Sequence, residues 1–444
     1  MSLDAKTCQN LLAEINPVLT FGKVSKVIGL VVEGQGIKAP LGSICRLLTD
    51  DKDHSAGINA EVVGFRDDVV LFMPYEDMRG IKPGTLIKNS SMPPLFPVGK
   101  PFLGQAVNAF GEPLTSRDKS IPSQKYYPLY AEPLNPLERP RIDKPLDVGI
   151  KAINSLLTLG RGQRIGIMAG SGVGKSTLMG MMARYTEADI NIIALVGERG
   201  REVVEFMDKD LGPEGLARSV LVVATSDQGP LIRMRAAYAA TAMAEHFRDQ
   251  GKDVLLMMDS VTRFAMAARE VGLAAGEPPT TRGYTPTVFT QLPKLLERTG
   301  KTPKGSITGI YTVLVEGDDF NEPVADAVRS ILDGYVVLTR ELADQGHYPA
   351  IDVLKSVSRL RTDVAPEKSI RDGQELIRLM AAYKRAEDMI NIGAYVKGSN
   401  PEIDQAVRLM GSINQFLCQN VGEKFTLEQS FSLMRNILKN EKKK

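Results

Sequence analysis

Residues 169–177 read Ala-Gly-Ser-Gly-Val-Gly-Lys-Ser-Thr, and these residue types at this spacing can hold phosphate. The apolar run Arg164-Ile165-Gly166-Ile167-Met168 precedes them and Leu178-Met179-Gly180-Met181-Met182 follows, which is the strand, glycine loop and helix order of a P-loop. Gly170, Gly172 and Gly174 are free to take positive φ and turn their N–H groups inward. With Ser171, Val173, Thr177 and the start of the helix they make a backbone cradle for phosphate oxygens. Lys175 is expected to reach the terminal phosphates of a nucleotide, and the Ser176 hydroxyl to ligate Mg²⁺. Ala169 stands where the usual pattern opens with glycine, and it is small enough to fit. Nucleotide binding follows, but a P-loop alone does not say what is done with the nucleotide.

Two further strands bring acids to the same edge. Residues 192–196, Ile-Ile-Ala-Leu-Val, end in Gly197-Glu198-Arg199, and residues 254–258, Val-Leu-Leu-Met-Met, end in Asp259-Ser260. Ligands of open α/β sheets bind at the carboxyl ends of strands, where both acids fall. Asp259 suits Mg²⁺ binding, directly or through water; Glu198, 23 residues after Lys175, suits a general base for the attacking water. Taken singly, Glu198 and Arg199 read as a surface ion pair and Asp259 as a helix cap. Lys, Glu and Asp supplied together by three strand ends favour hydrolysis.

Positioning these groups requires a parallel sheet, and apolar strands alternate with amphipathic helices from residue 145 to about residue 364. Before it, residues 27–32, 43–48, 60–65 and 68–73 read as short strands separated by turns such as Lys82-Pro83-Gly84, the texture of a small barrel or sandwich. Residues 93–140 are proline-rich and read as a surface connector. Leu3, Cys8, Leu11, Leu12 and Ile15 lie near helical spacing. Beyond Pro366 two helical faces are expected: Leu376, Leu379, Met380, Tyr383, Ala386, Met389 and Ile390, then Ile403, Ala406, Val407, Met410, Ile413 and Leu417. The chain is thus expected to be a multidomain α/β protein: an N-terminal helix within 1–20, a β-barrel domain over 21–97, a P-loop α/β domain over 98–365 and a helical domain over 366–444.

Composition sets limits. Hydrophobic residues at 43% and charged residues at 24% are ordinary for a globular chain, and a formal charge of +2 gives no reason to expect a nucleic-acid partner. Three scattered cysteines, Cys8, Cys45 and Cys418, argue against a disulfide scaffold and for a reducing cytoplasm. No signal peptide is evident, and no apolar stretch reaches the ~20 residues of a membrane span.

Gly197-Glu198-Arg199, together with residues 349–358, Pro-Ala-Ile-Asp-Val-Leu-Lys-Ser-Val-Ser, resembles the signature of the rotary ATPase α/β family, and the likeness covers nearly the whole chain. The resemblance implies that residues 98–365 form a RecA-like ATPase domain, and that a hexameric ring binds ATP between neighbouring subunits. It gives Arg359 the arginine-finger position, reaching the neighbour's γ-phosphate, where such a group contributes ~10³–10⁵ in rate. It gives Tyr348 the place that stacks on adenine and Arg263 a place near the γ-phosphate, and it counts Arg199 of the Gly-Glu-Arg signature among the catalytic residues. Around Gln419, Asn420 and Val421 the sequence departs from the aromatic residues that complete the adenine pocket in synthase β subunits.

In synthases the catalytic glutamate and the finger sit on different chains; here Glu198 and Arg359 share one, which implies a homohexamer. Residues 316–326, Glu-Gly-Asp-Asp-Phe-Asn-Glu-Pro-Val-Ala-Asp, resemble the protein-export ATPases of flagella and type III secretion, and residues 391–402 look like the flagellar branch. That resemblance implies a stator-like negative regulator at the N-terminal helix and a stalk protein in the ring pore. It further implies export chaperones and cargo at the helical domain, a membrane export gate, and peripheral attachment to the cytoplasmic membrane. Alternatives are a virulence secretion ATPase, a catalytic synthase subunit, and an RNA-translocating hexamer. The last needs a basic and aromatic groove, and Phe65, Arg66 and Phe72 form no clear stripe.

Overall fold

The computed structural model describes residues 21–49, 56–115, 121–123, 125–315 and 322–441. The expected helix within 1–20 and residues 316–321 of the export-type segment lie outside them. The described residues fall into two units, one reaching to Leu95 with Glu270–Pro278, the other comprising Phe96–Arg269 and the chain from Pro279 onward.

The first unit is a closed six-stranded barrel, β1 (Phe21–Ile28), β2 (Val31–Gln35), β3 (Ile44–Leu48), β4 (Gly57–Arg66), β5 (Val69–Pro74) and β6 (Leu86–Met92), in the order β1-β2-β5-β4-β3-β6. Alternating residues point inward, and Val24, Val32, Cys45, Leu47, Ala60, Val62, Phe72 and Ile87 fill the centre. Gly34 is required there, because a Cβ would run into Ile87 and Phe72. The single strand expected over 27–32 is instead a hairpin. Gly29, at φ 56°, supplies the turn between β1 and β2, and the unbroken apolar run concealed it.

The second unit is built on a mostly parallel sheet. Its strands are β7 (Gln105–Val107), β8 (Arg164–Ala169), β9 (Ile190–Glu198), β10 (Ser219–Thr225), β11 (Asp253–Asp259), β12 (Ser306–Leu314), β13 (Gly334–Leu338) and β14 (Ile351–Ser358). They lie in the order β14-β13-β8-β12-β11-β9-β10-β7; only β14, on the β13 edge, and a short piece at Gly300–Lys301, on β12, run antiparallel. The central strands are buried on both faces, which is why they read as continuous apolar runs. Residues 93–140 are not a simple surface connector. Phe96, Val98, Phe102, Ala106, Val107 and Leu129 are buried, and β7 extends the sheet beside β10. A three-residue strand among prolines is too short to show a period.

Helices α1 (Lys175–Tyr185), α2 (Pro230–Asp249), α3 (Val261–Ala275) and α4 (Pro286–Leu296) connect these strands. Alanine-rich α2 is buried against β9, β10 and β11. Its Glu245 accepts a bidentate pair from Arg298, Nε to Oε1 at 2.9 Å and Nη2 to Oε2 at 2.6 Å. Arg298 Nη1 also donates to the Leu129 carbonyl, so this buried charge is fully paired.

Three helices close the chain, α5 (Glu367–Asn391), α6 (Pro401–Leu417) and α7 (Leu427–Glu441). Asn400 caps α6, its side chain accepting from the Glu402 and Ile403 amides, with Pro401 opening the helix. The expected α5 face is buried at Leu376, Leu379, Met380 and Ala386, but Met389 is exposed in the last turn. On α6, Leu409 and Phe416 are buried with Ala406, Ile413 and Leu417, while Val407 is exposed; the face is rotated from the one expected. No helix among the described residues is long and apolar enough to cross a membrane.

Candidate active site

β8 delivers the glycine loop. Gly172 and Gly174 take φ of 79° and 90°, whereas Gly170, expected to do the same, does not. Gly174 caps α1, so Lys175 is the first helical residue. Its ammonium donates to Asp259 Oδ1 at 2.5 Å and lies 3.7 Å from Glu198 Oε1. Asp259 ends β11 and Glu198 ends β9, which are paired neighbours, so the acids meet at one strand edge. The three side chains are only 12%, 14% and 5% exposed for Lys175, Glu198 and Asp259. Burial, reinforced by the Asp259 charge and opposed by Lys175, pushes the Glu198 carboxyl up to about 7.

Gly197, at φ 74°, lets the chain turn before Glu198. A Cβ there would lie 3.0–3.3 Å from the Arg263 stem, so Arg263 lies directly over this glycine. Its Nε is buried without a hydrogen-bond partner. Ser176 is exposed beside Lys175, while the Thr177 hydroxyl bonds the Asp210 carboxylate. Arg199 is not brought into the cluster: it is 83% exposed and pairs at 3.7 Å with Glu202.

Tyr348 is half exposed, and its ring lies 3.7 Å from where a Gly174 Cβ would be. Its carbonyl accepts from the Gln419 amide at 2.9 Å. The buried Gln419 side chain accepts from Lys151 N–H and donates to the Gly149 and Glu423 carbonyls. Tyr185 and Arg184 both donate to the Val421 carbonyl, at 2.8 and 2.9 Å. Residues 419–421 therefore border Tyr348 and are held by polar bonds where the synthase pattern uses aromatics.

Arg359 lies elsewhere. It follows β14, which runs antiparallel to β13, and its amide donates to the Asp333 carbonyl at 3.0 Å, at the entry of β13. Asp333 N–H donates to the Arg164 carbonyl, so Arg359 sits near the start of β8 and the P-loop at its end. At about 3.3 Å per residue the strand separates them by roughly 17 Å. Tyr348 and Arg359 thus flank opposite ends of β14.

Two residues escaped the sequence reading. Thr312 on β12 donates to Asp259 Oδ1 at 2.7 Å, and Arg340 donates to the Ser171 carbonyl of the loop at 2.9 Å. A polar residue inside a buried apolar strand was the available signal for Thr312; Arg340, exposed on a short helix, gave none.

The donor set at the loop consists of a hydroxyl and a carboxylate, hard oxygen ligands of the kind Mg²⁺ takes. Among the described residues no group of three or more His, Cys, Asp or Glu converges on a metal position. A divalent ion here would draw its remaining ligands from substrate oxygens and water, which also fits Mg²⁺.

A parallel sheet with a P-loop and two strand-end acids defines a P-loop nucleotide-hydrolase site. Residues 149–358 match the nucleotide-binding domain of the ATP synthase alpha/beta family, residues 24–90 its beta-barrel domain, and residues 365–436 the T3SS EscN ATPase C-terminal domain. The flagellum-specific ATP synthase of Bacillus subtilis is 52% identical over 95% of this chain and 96% of its own. The type 3 secretion system ATPase of Xanthomonas euvesicatoria is 44% identical over 97% of each chain. The assembled ATPase EscN from enteropathogenic E. coli superposes with a TM-score of 0.89 at 45% identity, covering 94% of this chain and all of that one. EscN in complex with its central stalk EscO gives 0.86. The chain belongs to the family of flagellum-specific and type III secretion ATPases.

Proposed function

We propose that this protein hydrolyses ATP as a Mg²⁺-dependent homohexamer that energises flagellar protein export. The observation that carries the shared-site reading is the separation of Arg359 from its own P-loop along β8, while Lys175, Glu198 and Asp259 converge at the other end. A finger that cannot reach its own nucleotide suits a neighbour's.

In this reading the amides of residues 170–177 and Lys175 hold the phosphates of ATP, with Thr177 contributing its backbone because its hydroxyl serves Asp210. Ser176 and Asp259 would hold Mg²⁺, which would supply charge neutralisation at the phosphates. Glu198 orients water toward the γ-phosphorus and takes its proton, releasing ADP and phosphate. Arg263 and the neighbour's Arg359 stabilise charge on the transferring group. Arg199, next in the chain to Glu198 and exposed beside Glu202, would have to leave that pairing to join them. Tyr348 stacks on adenine, with residues 419–421 as the far edge of the pocket.

The divisions 21–97, 98–365 and 366–444 are proposed as the barrel, ATPase and helical domains. The remaining partners follow the family resemblance: a stator-like regulator at the N-terminus, a stalk in the pore, chaperones and cargo at α5–α7, and a membrane export gate. The site of action is the cytoplasm, peripheral to the membrane.

ATPase activity of the purified chain, lost in Arg359→Ala and in Glu198→Gln and partly regained when the two variants are mixed, is the expected result. No recovery on mixing would overturn the shared site. Deletion of the gene should abolish flagellar assembly; flagellated cells would refute the flagellar assignment.

A further inference from the structure

The Arg359 side chain is exposed and pairs with no described residue, so its reach is set by whatever fixes its backbone. The contacts that do so come from the entry of β8. Gln163, fully buried, donates through Nε2 to Ser358 Oγ at 3.2 Å and to the Asp333 carbonyl at 3.4 Å, the same carbonyl that accepts the Arg359 amide. Its Oε1 accepts from the Gly160 amide at 2.8 Å, and Ser358 donates onward to the Thr158 carbonyl at 3.2 Å. Beside it the Asp333 carboxylate accepts from the Arg164 amide at 2.9 Å and from its guanidinium at 3.2 Å. Gly334 allows this closeness: a Cβ there would strike the Val357 carbonyl.

The sheet does not need this clamp, since β13 and β14 already pair through their backbones. What the clamp adds is a fixed position for residues 358 and 359 relative to β8, whose far end carries the P-loop. We propose that Gln163, acting with Ser358 and Asp333, is a positioning residue for Arg359 and sets how the guanidinium projects toward the neighbouring subunit's nucleotide. The inference rests on the shared-site reading above.

Gln163→Leu keeps volume and removes the amide; Ser358→Ala removes only the hydroxyl, and Ser358→Thr retains one. Misplacing a catalytic group by 1 Å can cost about 10²-fold, so kcat should fall about 10- to 100-fold in the first two, with KM within about twofold. Ser358→Thr should stay near wild type. Mixing distinguishes positioning from damage. Gln163→Leu should regain activity with Glu198→Gln, because about a quarter of the interfaces in a randomly mixed ring then join an intact Glu198 to a well-placed finger. It should regain none with Arg359→Ala, where every finger is impaired.

Recovery with Arg359→Ala but not with Glu198→Gln would place the defect in the variant's own nucleotide site and overturn the proposal. Loss without recovery in either mixture would do the same, and Ser358→Ala repeats the test should Gln163→Leu unfold. Glu198→Gln mixed with Arg359→Ala is the control. If that pair also stays inactive, the shared site itself is wrong and the inference falls with it; if it recovers, any failure belongs to Gln163 alone.

Discussion

Thr312 and Lys175 share one oxygen: both donate to Asp259 Oδ1, at 2.7 and 2.5 Å. Thr312→Val keeps the shape and removes one of these donors. A hydrogen bond to a charged group contributes about 1.5–3 kcal/mol, so kcat should drop roughly tenfold or more, with a raised Mg²⁺ requirement as Asp259 turns more freely. Rates unchanged across a Mg²⁺ titration would show that Thr312 does not orient the acid.

Glu198 carries a cost in the nucleotide-free chain. Its carboxyl titrates near 4.5 when unfolded and near 7 when folded, so between those values the folded chain holds the extra proton. Stability therefore falls as pH rises through that window, and the loss is complete above about 7. Glu198→Gln should be about 3 kcal/mol more stable than wild type at pH 8 and no more stable near pH 4.5. Its hydrolysis should fall about 10²–10⁴-fold. Urea unfolding at both pH values reads the first effect, and an equal difference at both would refute it.

The same group sets a rate profile. kcat/KM reports the free enzyme, so it should climb as pH passes through about 7 and level off above, as Glu198 becomes a competent base. A flat profile between pH 6 and 8 would be inconsistent with this role.

Tyr348 offers a ring beside Gly174 and no hydrogen bond from its hydroxyl among the described residues. Tyr348→Phe should bind ATP normally, and Tyr348→Ala should raise KM about tenfold while kcat changes little, a stacking loss of about 1–3 kcal/mol. Equal KM values in both variants would remove Tyr348 from the pocket.

Arg298→Ala strands Glu245 as a buried, unpaired charge. The expected loss is about 3–5 kcal/mol, read as a lower Tm, and Arg298→Met with Glu245→Gln together should recover much of it. A single variant as stable as wild type would mean that water reaches the pair.

The loop, Glu198 and Asp259 were legible because each follows an apolar strand, and strand ends gather in one place. Arg359 was singled out only through the family signature, since an exposed arginine has no local pattern. Thr312 was marked only as a polar residue inside a buried strand, a mark it shares with Thr308, until the strand order brings it beside Asp259. The hairpin at Gly29 and the rotated face of α6 share a cause: the apolar pattern marks what can be buried, while turns and neighbours decide what is.

β14 has Tyr348 at one end and Arg359 at the other, and on the shared-site proposal each subunit carries two half-sites that never meet in the same chain. A duplicated gene could then shed Glu198 in one copy and Arg359 in the other. A ring alternating the two copies would keep every second interface working and free the idle ones for other duties. Division of labour between descendants is already written into where the two ends of one strand point.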